Sequence, residues 1–255
     1  MLSDLEHIQL AEEKVRRFIT LAEEILRLHD KAEQRINEGY RNEYFKPTLR
    51  NRVIAGLAVK AGRSFERLIV DARNRRGECA HHLKTMVECF IYACWVSGDE
   101  TEKRASLLQA ESFRSRAAYH ENCSASPEDE DAHWAKEWRE LQHKQIKGIE
   151  KEWKNFPSLE SIAADVKSRD LYNIYRASCE AAHTGDLPLY MPPQPTEPGL
   201  TLADLSLQQC YVSLQSGVFL ACELLRNASD QVELELESEI DSFAQRSREI
   251  RLLGT

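Results

Sequence analysis

The stretch MVECFIYACWV, Met86 to Val96, constrains the fold more tightly than any other part of the chain. Glu88 is its one polar residue, so a helix made from it is apolar or aromatic on nearly every side and must be surrounded by other helices. The segment predicts a helix from about Glu78 to Ser97, closed by Gly98, at the centre of a bundle. It also raises a question about Glu88. An ionised carboxylate in such a setting is destabilising unless it is protonated or given a partner.

The rest of the chain shows the helical period as well. Ten glycines are scattered singly, and no segment alternates with the period of a strand. Ile8, Val15, Phe18, Ile19, Ala22, Ile25 and Leu26 stripe a first helix, about Ser3 to Asn37, which the polar GYRNEYFKP ends. Val53, Leu57, Ala61, Phe65, Leu68 and Ile69 stripe a second, about Leu49 to Ala72, and a fourth ends near Glu121. Ser124 to Pro127, followed by Glu128 and Asp129, reads as a start signal, with proline in the first turn and acids beside the helix dipole. It predicts a fifth helix to about Lys154, packed on one side through Trp134, Trp138, Leu141 and Ile149.

A short helical turn at 158–166 precedes a sixth helix, about Ser168 to His183. Then HTGDLPLYMPPQPTEPG holds five of the eight prolines and predicts a loop over 184–200. Thr201 to Asp204 restarts a helix striped by Leu207, Tyr211, Leu214, Val218, Ala221 and Leu225. A break at Asn227 to Asp230 is expected before a charged helix carrying Val232, Leu236, Ile240 and Phe243, packed on the first helix or on a second subunit. The expectation is an all-α protein: a single domain over 1–255, with about seven helices around the apolar third one. Its parts are an N-terminal helix in 1–44, a core bundle in 45–226 and a charged C-terminal helix in 227–255.

At 255 residues the chain can bury one sizeable core. A net charge of -8 argues against a general polyanion-binding surface, although Lys46, Arg50, Arg52, Arg73, Arg75 and Arg76 concentrate positive charge locally. The N-terminal residues carry acids and no apolar run, which does not read as a secretory signal, and no run is long enough to span a membrane. Seven cysteines without a C-x-x-C pair read as reduced, mostly core residues of a cytoplasmic protein. Neither a G-x-x-x-x-G-K-S/T nor a G-x-G-x-x-G loop occurs, so P-loop and Rossmann nucleotide sites are excluded.

The residues that could carry chemistry fall on two helices. His81, Lys84 and Glu88 align along one edge of the apolar helix, and Lys84, four residues before Glu88, offers it a partner. On the sixth helix Leu171, Ile174, Tyr175, Ser178 and Ala182 face the core, while Tyr172, Arg176 and His183 share its flank, with Glu180 beside them. One reading is a buried ionic network that fixes helix register. The other is a working site at the mouth of the bundle, beneath the proline-rich segment.

L-K-T-M-V-E (83–88) followed by Y-R-A-S-C-E-A-A-H (175–183) resembles a family of uncharacterised bacterial all-helical proteins known only as a domain of unknown function. Its members show L-R-x-x-x-E on one helix and Y-x-x-x-S-x-x-x-H on another. The likeness spans about 45–230, and the chain departs from it at Lys84, where arginine is usual, and at Cys179, where a small hydroxyl is usual. It implies the fold and no activity. Arg176 and His183 also fit the R-x(4-6)-H pattern of HEPN domains, helical bundles that dimerise and cleave RNA in defence and toxin systems. The pairs Arg75/His81 and Arg76/His82 fit that spacing too.

The HEPN resemblance implies a metal-independent endoribonuclease in which a histidine moves the proton and an arginine steadies the phosphate. Glu-x-x-His, ending at His81, His133, His143 and His183, evokes a di-iron bundle. Lys84 beside His81 opposes a cation, so no metal and no cofactor is expected. Cys179, one turn before His183, offers a thiol and imidazole pair.

The sequence reading is thus an HEPN-like effector or accessory protein of a bacterial defence or toxin-type system. Its catalytic set is His183, Arg176, Glu88, Lys84 and Tyr172, it acts on RNA, and it forms homo-oligomers through the terminal helices. The alternative is a non-enzymatic protein-interaction module, in which Lys84, Glu88 and the histidine form a buried structural network.

Overall fold

The computed structural model describes residues 4–42, 48–76, 79–126, 128–181, 202–232 and 234–253. They form ten helices and no strand: α1 (Asp4–Arg41), α2 (Leu49–Arg73), α3 (Cys79–Ser97), α4 (Lys103–Cys123), α5 (Glu130–Ile146), α6 (Glu150–Lys154), α7 (Leu159–Asp165), α8 (Arg169–Ala181), α9 (Leu202–Val232) and α10 (Glu237–Arg251). The proline-rich segment and His183 lie outside the described residues.

The count exceeds seven partly because the expected fifth helix is two. Gly148 takes φ +90, a left-handed conformation that ends α5 and lets Ile149 begin α6. The start of α5 is set by Asp129, whose carboxylate accepts from the amides of Ala132 (2.8 Å), Ala125 (2.6 Å) and Ser126 (3.1 Å). These donors pull its pKa down to about 2. The break expected at Asn227–Asp230 does not occur either. Ser97 Oγ donates to Asn227 Oδ1 at 2.8 Å, and buried Ser229 accepts from the Leu236 amide at 3.3 Å. Residues that look like a stop signal are used in tertiary contacts, and α9 runs on to Val232.

Phe18, Leu21 and Ile25 of α1, Ile54, Phe65 and Leu68 of α2, and Leu214, Leu220 and Leu224 of α9 are fully buried in one cluster. Each such side chain contributes roughly 1.5–3 kcal/mol by leaving water. α3 packs on α2, α4, α7, α8 and α9, and α9 packs on α1, α2, α3 and α10, so the core is shared between these two helices. No residue of α3 is fully exposed. α10 lies on α1, held by Arg246, which donates to both carboxylate oxygens of Glu24 (2.6 and 2.7 Å), and by Lys14 donating to the Arg251 carbonyl.

α5 departs from its predicted orientation. Ala135 and Gln142 are its buried residues, next to α4, while Trp134 and Leu141 are 39% and 41% exposed. Trp138 stacks on Phe113 of α4 with centroids 5.6 Å apart, and the Arg116 guanidinium covers its ring at 4.7 Å. Ala110, Ala117 and Ala135, although buried, stand outside the main cluster, so the far ends of α4 and α5 form an arm with a contact of their own.

One buried histidine joins three helices. His29 of α1 is 7% exposed, its Nε2 lies 3.2 Å from the Ala221 carbonyl of α9, and its ring covers Gly62 of α2, where a Cβ would meet Nδ1 at 3.1 Å. Burial pushes its pKa down from 6.5 to about 4, so it folds neutral with Nε2 donating. Below 6.5 the unfolded chain binds a proton that the folded one refuses. Stability therefore falls as pH drops from about 6.5 toward about 4. The expected loss from this group is about 3 kcal/mol at most. Chemical denaturation of wild type and His29→Gln at pH 7 and pH 4.5 checks this: the variant should lose less stability across the interval.

Candidate functional site

The polar edge of α3 faces α8. Lys84 Nζ sits 5.9 Å from the Tyr175 ring centroid, in cation–π geometry, and Tyr175 stacks on Tyr172 with centroids 5.8 Å apart and planes at 18°. Tyr175 and Tyr172 are three residues apart on α8, and Lys84 is one turn before Glu88 on α3, so the seam follows directly from helical periodicity. No ion pair joins Lys84 to Glu88 among the described residues; the ammonium sits on the phenol ring instead. Glu88 is half-buried, as are Lys84, His81 and Tyr172.

Glu88 acts on its neighbours through its charge. The Tyr175 phenol is pushed up to about 12, first by burial, then by the hydrogen bond with Cys179, and further by Glu88. Tyr92, one turn beyond Glu88, is raised by burial and by the charges of Glu88 and of Glu111 on α4. The Cys89 thiol, also buried, is pushed up to about 12. These shifts keep two phenols and a thiol in their neutral forms within the field of one carboxylate.

On α8, buried Ser178 donates to the Ile174 carbonyl at 2.8 Å and is turned inward. Arg176 lies exposed on the flank next to Tyr172 and Tyr175, and both it and His81 engage neighbours. Of the predicted set, the structure therefore brings Lys84, Glu88 and Tyr172 to one seam, with Arg176 at its edge. His183 falls outside the described residues.

Sequence reasoning missed two features near the start of α3. His82 meets a carboxylate, with Nε2 3.0 Å from Asp71 Oδ2 at the end of α2. Cys79 lies 3.8 Å, sulfur to sulfur, from Cys210 of α9. The first was open to a local reading, since Asp71 and His82 flank the short α2–α3 connection. The second joins segments 131 residues apart and had no local signal.

The basic cluster around 73–76 is not a free anion surface. Arg73 pairs with Glu23, Arg75 with Glu12 at 2.8 Å and Arg76 with Asp71 at 3.6 Å. Among the described residues no group of three or more His, Cys, Asp or Glu side chains is arranged to hold a metal ion. No helix among them is long and apolar enough to cross a membrane.

The chain matches a family of unknown function (DUF5677) over residues 51–191. It belongs to that family. No curated protein and no solved structure matches it. The matched region runs from within α2 through α8, including both helices of the seam, while α1, α9 and α10 lie outside it.

Glu88→Gln should keep the helical fold while moving the Tyr92 and Tyr175 ionisations back toward the usual phenol value. Ring-carbon NMR titration of labelled tyrosines in wild type and variant measures this. Unchanged titration curves would show that the carboxylate does not act on the phenols.

Proposed function

We propose that the α3–α8 seam is an acid–base site acting on RNA phosphodiesters, making the protein a metal-independent endoribonuclease of a defence or toxin-type system. The observation that carries the reading is the meeting, inside the family-matched region, of a half-buried carboxylate, an ammonium and stacked phenols, with a guanidinium at the edge. The ribose 2'-hydroxyl attacks the adjacent phosphorus, and its proton passes to a base. The 5'-oxygen leaves with a proton from an acid, giving a cyclic phosphate and a 5'-hydroxyl end. His183 serves as acid or base, Arg176 steadies the charge on phosphorus, and Glu88 and Lys84 orient them. Tyr172 offers an aromatic face on which an unpaired base can stack.

A second reading, a non-enzymatic protein-interaction module, is favoured by the α4–α5 arm, where Trp134 and Leu141 stand exposed on one stripe. Under it, Lys84 over Tyr175 is a structural contact, and Arg176 and His183 carry no chemistry.

Incubation of the purified protein with mixed single-stranded RNA separates the two. The nuclease reading expects cleavage that persists in chelator and leaves cyclic-phosphate ends. His183→Ala and Arg176→Ala should each slow it by about 100-fold or more at an unchanged melting midpoint. Intact RNA with the wild-type protein, or cleavage that survives both substitutions, overturns it.

A further inference from the structure

We propose that Cys79 and Cys210 form a redox-modification site that closes to a disulfide on reaction with hydrogen peroxide. Cys79 is the first residue of α3, Cys210 lies on α9, and both thiols are fully buried where these two helices pack. Their sulfurs are 3.8 Å apart, and Cys210 Sγ also lies 3.5 Å from the Arg76 carbonyl. A disulfide needs about 2.05 Å between sulfurs, so closure requires a movement of under about 2 Å, within reach of side-chain rotation on helices already in contact. The pair is reduced in this structure. No other sulfur–sulfur hydrogen bond occurs among the described residues.

The two sulfurs are not equivalent: Cys79 opens α3, where a helix N-terminus favours a thiolate, whereas Cys210 lies within α9. Cys79 is held below the usual thiol range by hydrogen bonding with Cys210, Ser213 and the Ala80 amide at the start of α3, against burial and the charge of Asp71. Cys210 is correspondingly pushed up by that same hydrogen bond and by burial. Thiolates at helix N-termini are the reactive ones, so Cys79 is the attacking sulfur and Cys210 the resolving one.

Each step balances. The Cys79 thiolate attacks one peroxide oxygen, the O–O bond breaks, and the departing hydroxide takes a proton to become water, leaving a sulfenic acid. The Cys210 sulfur then attacks the Cys79 sulfur and the S–O bond breaks. A second water leaves with the Cys210 proton, and the S–S bond forms. Two thiols are oxidised and one peroxide is reduced to two waters. A dithiol reverses the change.

The consequence lies in position. The link would fasten the start of α3 to α9 beside the His82–Asp71 contact, on the helix that carries Lys84 and Glu88. The remaining five cysteines lack this arrangement: Cys89, Cys94 and Cys222 are raised by burial, Cys179 is hydrogen-bonded with Tyr175, and Cys123 is exposed.

The test uses the full chain carrying Cys123→Ser, which leaves six of the seven cysteines. After peroxide and unfolding, alkylation should find four thiols where untreated protein shows six, and the intact mass should fall by two hydrogens. Peptide mapping should join residues 79 and 210, a reducing dithiol should restore all six thiols, and Cys210→Ser should stop at a Cys79 sulfenic acid trapped by dimedone. Six thiols surviving peroxide in the parent protein, or a cross-link between other cysteines, overturns the proposal. These readouts are independent of RNA cleavage.

Discussion

The contact on which the described fold turns is the neutral imidazole of His29 at the meeting of α1, α2 and α9. Three helices can approach this closely only where side chains are small. Gly62 lies under the imidazole, Ala58 and Ala61 flank it on α2, and Gly217 on α9 takes the edges of Phe65 and Leu68, where an added Cβ would meet carbons at 3.2 and 3.1 Å. A buried polar ring is tolerated there because its one N–H reaches a second lone pair of the Ala221 carbonyl. An apolar ring of the same size would fill the space but would not tie α1 to α9. The arrangement places Phe18, Phe65 and Leu214 in contact range of one cluster and offers α3 a preformed apolar surface.

The character of the seam follows from that placement. α3 is covered by α2 and α9 on its apolar sides, so its polar edge is left for α8. Lys84 could have paired with Glu88 along the helix, but lysine preceding glutamate by four residues is the weaker orientation of such pairs. The Tyr175 ring offers the ammonium a second acceptor across the interface. Glu88 is thereby left to act on phenols instead of on a cation, and its charge adds to burial in holding Tyr92 and Tyr175 protonated. A carboxylate in an apolar stretch is thus accommodated by partial exposure, a different solution from the ion pair that the spacing suggests.

The parts of this structure that were legible in the sequence are those set within one helix. The 3.6 period located α1, α2, α3, α4 and α8 to within a few residues, and it set Lys84 and Glu88 on one edge of α3 and Tyr172 and Arg176 on one flank of α8. Features that depend on a partner segment were not legible. His29 looks like any histidine on a long amphipathic helix until Gly62 and Ala221 are brought to it. Cys79 and Cys210 read as separate core residues, because nothing local brings positions 131 apart together. The apolar stripe of α5 misled for a related reason: periodicity finds a stripe but does not say whether anything covers it. Alanines on the neighbouring faces of α4 and α5 meet instead, and Trp134 and Leu141 point away.

The extent of the family match adds a constraint of its own. Residues 51–191 hold the polar edge of α3 together with α8, but they do not hold α9, against which α3 also packs. Cut at those bounds, the unit would uncover the apolar surface of α3 that packs on α9, at roughly 25 cal/mol for each Å² exposed. The matched region therefore does not make a closed core by itself in this protein. α1 and α9 supply the missing cover, and His29 with Gly217 sets how closely that cover can sit. Changes at those two positions would alter how closely α1, α2 and α9 approach one another, and α3 rests on α2 and α9. The chemistry of the seam and the packing of helices outside the matched region are in this way one mechanical problem.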